Sequence, residues 1–130
     1  MTRMMAAAAL VFAAGAEGAL AQALPEGAYE LDACSGNPYS DTRIEISGNR
    51  ILFYESACTL TPAGPVPGFE GAYFYDGQCS GEGETWTERY MLMPSWDNGL
   101  VYVQPNWAGT YAYCGPATAP APAPAPGGSK

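Results

Sequence analysis

Any chemistry in this 130-residue chain has to be carried by carboxylates. The sequence contains no histidine. That removes the commonest general base, the Ser-His and Cys-His nucleophile systems, and the commonest metal ligand. The densest acidic segment is residues 79–93, CSGEGETWTERYMLM, which holds Glu82, Glu84 and Glu88. On an extended backbone Glu82 and Glu84 point the same way, about 7 Å apart, a spacing compatible with an inverting glycosidase pair. Any two acids at i and i+2 meet that spacing, and glycines at 81 and 83 offer neither burial nor a cleft. No catalytic residue is therefore assigned, and a non-enzymatic protein is expected. No lysine follows Gly81 and Gly83 in phosphate-loop spacing, so no cofactor is expected either. Asp76, Glu82 and Glu84, with carbonyls freed by neighbouring glycines, offer the oxygen ligands of a calcium site. The D-x-D-x-D-G spacing is missing, however, and the simpler reading is a solvated bend anchored by Cys79.

The ends of the chain suggest an exported protein. Arg3 precedes an apolar run over 4–14, and Ala21-Gln22-Ala23 satisfies the A-x-A rule for signal cleavage. The expected boundaries are a signal peptide at 1–23, a folded domain at 24–115, and a Pro/Ala-rich tail at 116–130. The apolar run is too short for a membrane span, and Leu24 after the cut is not the cysteine of a lipid anchor. In the tail, proline at alternate positions removes donors and favours an extended or disordered spacer. Of thirteen acids and five bases, Glu17 and Arg3 precede residue 24, leaving twelve against four and the same formal charge of −8. That balance disfavours nucleic acid and anionic membrane surfaces and favours basic partners.

Four cysteines, Cys34, Cys58, Cys79 and Cys114, lie at least 21 residues apart, unlike the paired spacing of a zinc site. In a small exported domain they imply two disulfides. The intervening sequence is strand-like. Short β-rich runs fall at 29–31, 43–46, 51–56, 72–75, 85–93, 100–103 and 110–114. Turn signals separate them, at Ser47-Gly48-Asn49-Arg50, Asp97-Asn98-Gly99 and 105–109. Prolines 62, 65 and 67 mark 61–68 as a loop. The expected architecture is all-β, a small antiparallel meander of six to eight strands closing as a barrel.

A strict meander brings the end of the first strand and the end of the third together. Cys34–Cys58 with Cys79–Cys114 is therefore the preferred pairing, and Cys34–Cys114 with Cys58–Cys79 the rival. The 86–93 run carries apolar residues on both faces, so Arg89 is expected to need a carboxylate, Glu55 or Glu88, inside the barrel or at its mouth. The tyrosines Tyr73, Tyr75, Tyr90 and Tyr113 read as core or lining. Trp96 and Trp107, in turns, read as a contact surface.

The segments RILFYESAC (50–58) and CSGEGETW (79–86), with 43–46, 71–93 and 110–114, resemble a group of small exported bacterial proteins of unknown function. Size, export, cysteines and the β-meander also resemble the periplasmic inhibitors of C-type lysozyme. That family's recognition loop, a Ser-Gly followed by a Tyr, aligns with Ser35-Gly36 and Tyr39, or with Ser80-Gly81. The family's downstream lysine has no counterpart here. The combined expectation is a monomeric periplasmic or extracellular binding module, acting as an inhibitor or binder of a basic protein such as lysozyme. Two alternatives stand beside it: a lipocalin-like carrier holding a small apolar ligand among Tyr73, Tyr75, Tyr90 and Tyr113, and the calcium-binding domain.

Overall fold

The computed structural model describes residues 24–118. The expected signal peptide and the tail beyond Thr118 lie outside the described residues. Eight strands follow in order: β1 (Gly27–Leu31), β2 (Arg43–Ser47), β3 (Arg50–Leu52), β4 (Ala57–Pro65), β5 (Tyr73–Gly81), β6 (Glu84–Pro94), β7 (Leu100–Gln104) and β8 (Trp107–Tyr113). Each pairs antiparallel with the next, and β8 pairs back onto β1, closing a barrel. A three-residue 3₁₀ turn, Trp96–Asn98, is the only helical segment among the described residues. The barrel class follows from short alternating strands such as Arg43–Ser47, in which Ile44 and Ile46 are buried and their neighbours are not.

The connections β1–β2, β3–β4, β5–β6 and β7–β8 gather at one end, here called the open end. The other three connections lie at the opposite, closed end, where Leu24 is buried in the core. Tight turns form where the sequence indicates them: Ser47 pairs with Arg50 across Gly48-Asn49, and Gln104 with Trp107 across Pro105-Asn106. Asp97, Asn98 and Asn106 take the positive φ that such turns need, at 53°, 61° and 69°.

One strand differs from the sequence reading. The 61–68 segment reads as a loop because of its prolines, yet β4 runs through Pro62 to Pro65. The partner strand explains this. β3 pairs with β4 only as far as Thr59, so β5 alone pairs the later residues, where proline's missing N–H breaks no β3 ladder bond. The register slips between Pro62 and Gly64, a bulge that absorbs the irregularity.

Inward-facing residues fill the barrel with aromatic rings. Tyr90 and Tyr102 lie 5.4 Å apart, Tyr102 and Tyr111 5.8 Å, and Phe53 closes on Tyr102 at 6.1 Å. Room for the Tyr90 ring comes from Gly77 on the neighbouring strand, where a Cβ would sit 2.7 Å from the ring edge and 3.2 Å from Leu60.

The disulfides are Cys34–Cys114 and Cys58–Cys79. This corrects the preferred pairing of Cys34–Cys58 with Cys79–Cys114. Counting 61–68 as loop left out β4, which places Cys58 directly opposite Cys79 in the β4–β5 register. Cys34, in turn, does not stay at the strand end. Asp32 turns left-handed, φ 64°, and the chain doubles back over the outside of β1 and β8. Glu30, only 1% exposed, pins this return, its carboxylate accepting from Ser35 Oγ at 2.6 Å and Ser35 N–H at 3.2 Å. The Ser35 hydroxyl bond is the main reason the Glu30 carboxyl sits below its ordinary pKa. Disulfides imply an oxidising compartment. Among the described residues no helix is long and apolar enough to cross a membrane.

Replacing Gly77 with Val is expected to destabilise the barrel by about 1–3 kcal/mol through overpacking against Tyr90. Urea unfolding should show a lower midpoint with an unchanged slope.

Candidate functional site

The aromatic core continues upward into the open end, where it meets water and charge. Trp107, the first residue of β8, turns inward and lies back over Gly109, where a Cβ would fall 2.5 Å from the indole. It packs on Tyr102 at 5.7 Å and on Tyr111 at 6.3 Å, covering the barrel mouth while remaining 39% exposed. Across the mouth, β6 runs past the β7–β8 hairpin. Met91 pairs with Val103, so residues 84–87 stand beyond the end of β7. Trp86 sits on that projecting part with its side chain on the barrel-facing side, the same side as Glu88, Tyr90 and Leu92; it is 38% exposed.

Below the tryptophans lies a short polar chain. Tyr90 Oη donates to Glu88 Oε2 at 3.2 Å, and Tyr102 Oη donates to Gln104 Oε1 at 2.8 Å. Tyr90 Oη also touches both sulfurs of Cys58–Cys79, at 3.4 and 3.5 Å. Burial, and then the Glu88 carboxylate, push the Tyr90 phenol up to about 12. Tyr102 is raised further, first by burial and then by Tyr90. Neither phenol supplies a base near neutrality.

The structure separates the residues proposed as the Arg89 ion pair. Arg89 and Asp76 are directly opposed across β5–β6, and Arg89 Nε and Nη2 donate to the two Asp76 oxygens at 2.8 and 3.0 Å. The expected partners Glu55 and Glu88 are not used, because Arg89 faces outward while Glu88 faces the mouth. The pair is open to solvent, with side chains 58% and 52% exposed, so Arg89 does not carry the structural weight expected of a buried charge. The hydrogen bond from Arg89 holds the Asp76 carboxyl below its ordinary pKa.

The same geometry takes apart the calcium reading. Asp76 is committed to Arg89 and stands five residues along β5 from the Gly81–Glu84 bend, about 17 Å away. Asp76, Glu82 and Glu84 do not converge. The one close group of potential ligand residues among the described residues is Glu30 with Cys34 and Cys114, and those sulfurs are bonded to each other.

Trp96 and Trp107 also fail to form one surface. Trp96, 91% exposed, lies in the β6–β7 connection at the closed end, and the length of β7 separates it from Trp107. Of the tyrosines, Tyr75 is buried, Tyr73 packs on the core, and Tyr113 stacks edge-on against Tyr29 near the closed end. The large exposed aromatic side chains on elements of the open end, among the described residues, are Tyr39, Tyr54, Trp86 and Trp107. Tyr39 and Tyr54, 83% and 62% exposed, border a groove of ≈ 300 Å³ with Arg43 and Glu45 in its lining. Tyr54 and Trp86 lie within RILFYESAC and CSGEGETW, but those segments assign them no site role. Inward parity on a strand that outruns its neighbour marks Trp86, and that overhang appears only in the barrel register.

No family model, curated protein or solved structure matches the chain.

Arg89→Ala is expected to leave the melting temperature almost unchanged, as thermal unfolding followed by circular dichroism would show. The raised Tyr90 phenol gives a second expectation. Its contribution to stability is intact below its ordinary value of 10 and is lost as pH rises through about 12. Thermal midpoints should therefore fall over that alkaline range, and Tyr90→Phe should remove part of the fall.

Proposed function

We propose that this chain is an exported, non-catalytic binding module that docks a basic protein, of which a C-type lysozyme is the leading example, through the open end of its barrel. One observation carries the reading. Tyr39, Tyr54, Trp86 and Trp107 stand exposed at that end, and its four connections carry Asp32, Asp41, Glu55 and Glu82 but no lysine or arginine. Aromatic anchors set among acids favour a partner of opposite charge, and the −8 balance of the chain speeds its approach.

The Ser35-Gly36 and Tyr39 segment supports the lysozyme example. Asn37 Oδ1 accepts from the Tyr39 N–H at 3.0 Å, and Ser35 Oγ accepts from the Asn37 N–H at 3.0 Å. The Cys34–Cys114 bridge fixes the base of this loop, so Tyr39 is presented from a restrained backbone. Restraint of this kind lowers the entropy lost on docking. The carrier alternative gains less support, because Tyr75 and Tyr90 occupy the barrel interior and would have to move to admit a ligand.

Isothermal titration of the exported protein with a C-type lysozyme tests the proposal. Binding is expected at about 50 mM salt and should weaken at least tenfold by about 300 mM, as screening removes the attraction. Absence of binding at low salt would overturn the lysozyme example. Binding insensitive to salt would overturn the electrostatic basis.

A further inference from the structure

Glu88 is a half-buried carboxylate on the barrel-facing side of β6, and neither arginine ion pair among the described residues involves it. Three bases lie among the described residues. Arg43 is paired with Glu45, and Arg89 with Asp76. Arg50 flanks the Gly48-Asn49 turn at the closed end. What Glu88 does have is a hydroxyl donor, Tyr90, on Oε2, and Oε1 takes no part in that bond. The surrounding walls are aromatic: Trp86 two residues away on the same side of β6, Trp107 against Tyr102, and Phe53 at 6.1 and 6.5 Å from Tyr102 and Tyr90. A half-buried carboxylate ringed by indole and phenol faces, on a chain of net charge −8, suits one kind of group. That group is a flat cation able to stack on an indole while donating to a carboxylate.

We infer that the mouth is a receptor for an arginine side chain of the partner protein, with Glu88 accepting from the guanidinium and Trp86 and Trp107 lying against it. This inference rests on the proposed docking of a basic protein at the open end, and it assigns the side chain that enters. Charge complementarity selects the occupant. A neutral apolar group would desolvate the Glu88 carboxylate with only the Tyr90 hydroxyl to meet its charge, which is unfavourable. A guanidinium satisfies the carboxylate and covers the indoles together. Oε2 is already engaged, so the contact uses Oε1, and the aromatic faces supply the rest of the attraction.

The test uses the exported protein with tetra-arginine amide as probe and the citrulline tetrapeptide amide as its neutral isostere, read by tryptophan fluorescence and calorimetry. Tetra-arginine should bind and perturb tryptophan emission, and the citrulline peptide should bind at least tenfold more weakly. Glu88→Gln keeps an acceptor for Tyr90 and should weaken tetra-arginine about tenfold, the loss of one charged hydrogen bond. Glu70→Gln removes the same charge at the closed end and should change binding less than twofold. Trp86→Ala, on the exposed rim, provides a second variant and should weaken the probe comparably to Glu88→Gln, with thermal midpoints checked for both. Equal binding of the citrulline peptide, or equal losses in Glu88→Gln and Glu70→Gln, would overturn the inference. The two proposals fail separately. If lysozyme binds and Glu88→Gln leaves that affinity unchanged, docking stands and the arginine receptor falls. If tetra-arginine binds by the expected pattern while lysozyme does not, the receptor stands and the partner is a different basic protein.

Discussion

Everything in this barrel depends on a seam three residue pairs long. β1 meets β8 through Tyr29–Tyr113, Glu30–Ala112 and Leu31–Tyr111, joining segments from opposite ends of the domain. Without that pairing the eight strands form an open sheet with two exposed edges, and the tyrosine core faces water on one side. Cys34–Cys114 crosses the same seam and ties residues 80 apart in sequence. In the chain-entropy account, a closed loop of that length disfavours the unfolded state by about 4 kcal/mol. The seam is further protected from outside. The return of the chain at Asp32 covers β1, so Glu30 and Ala28 are buried on the outer face while Tyr29 is buried on the inner one.

Closure in turn shapes the site. Strands of unequal length in a closed, staggered sheet cannot all end at the same level. Here β5 and β6 run farther than β7 and β8, and the overhang holds Trp86 and Glu88 beside a mouth that Trp107 partly covers. The two ends of the barrel therefore have different chemistry. Leu24 and the core residues around it fill the closed end. The open end has half-exposed indoles, an engaged but unneutralised carboxylate, and acidic loops.

The stacking that stabilises the interior also limits the chemistry available. Tyr90 and Tyr102 are raised by burial, so neither phenol exchanges protons near neutral pH. Their role is to position Glu88 and Gln104 and to give the mouth a rigid floor. Gly77 and Gly109 serve the same packing, each leaving out a side chain where a neighbouring ring needs the space.

Alternation at 43–47, the Gly-Asn and Asn-Gly turns, and the absence of helical periodicity were enough to indicate an antiparallel barrel, because strand period and turn chemistry are local properties written in consecutive residues. The even cysteine count indicated two disulfides for similarly compositional reasons. Pairing was another matter. Whether Pro62 could sit in a strand depended on where β3 began, and whether Cys34 met Cys58 or Cys114 depended on a left-handed residue at Asp32 that sent the chain back over the seam. Arg89 and Glu88, adjacent in sequence, faced opposite sides of the wall, so only the register showed that Asp76 neutralises one and leaves the other to the mouth. Residue types and local periods belong to the sequence. Which charges meet was decided by the tertiary structure, because closing the barrel sets the register that aligns residues distant along the chain.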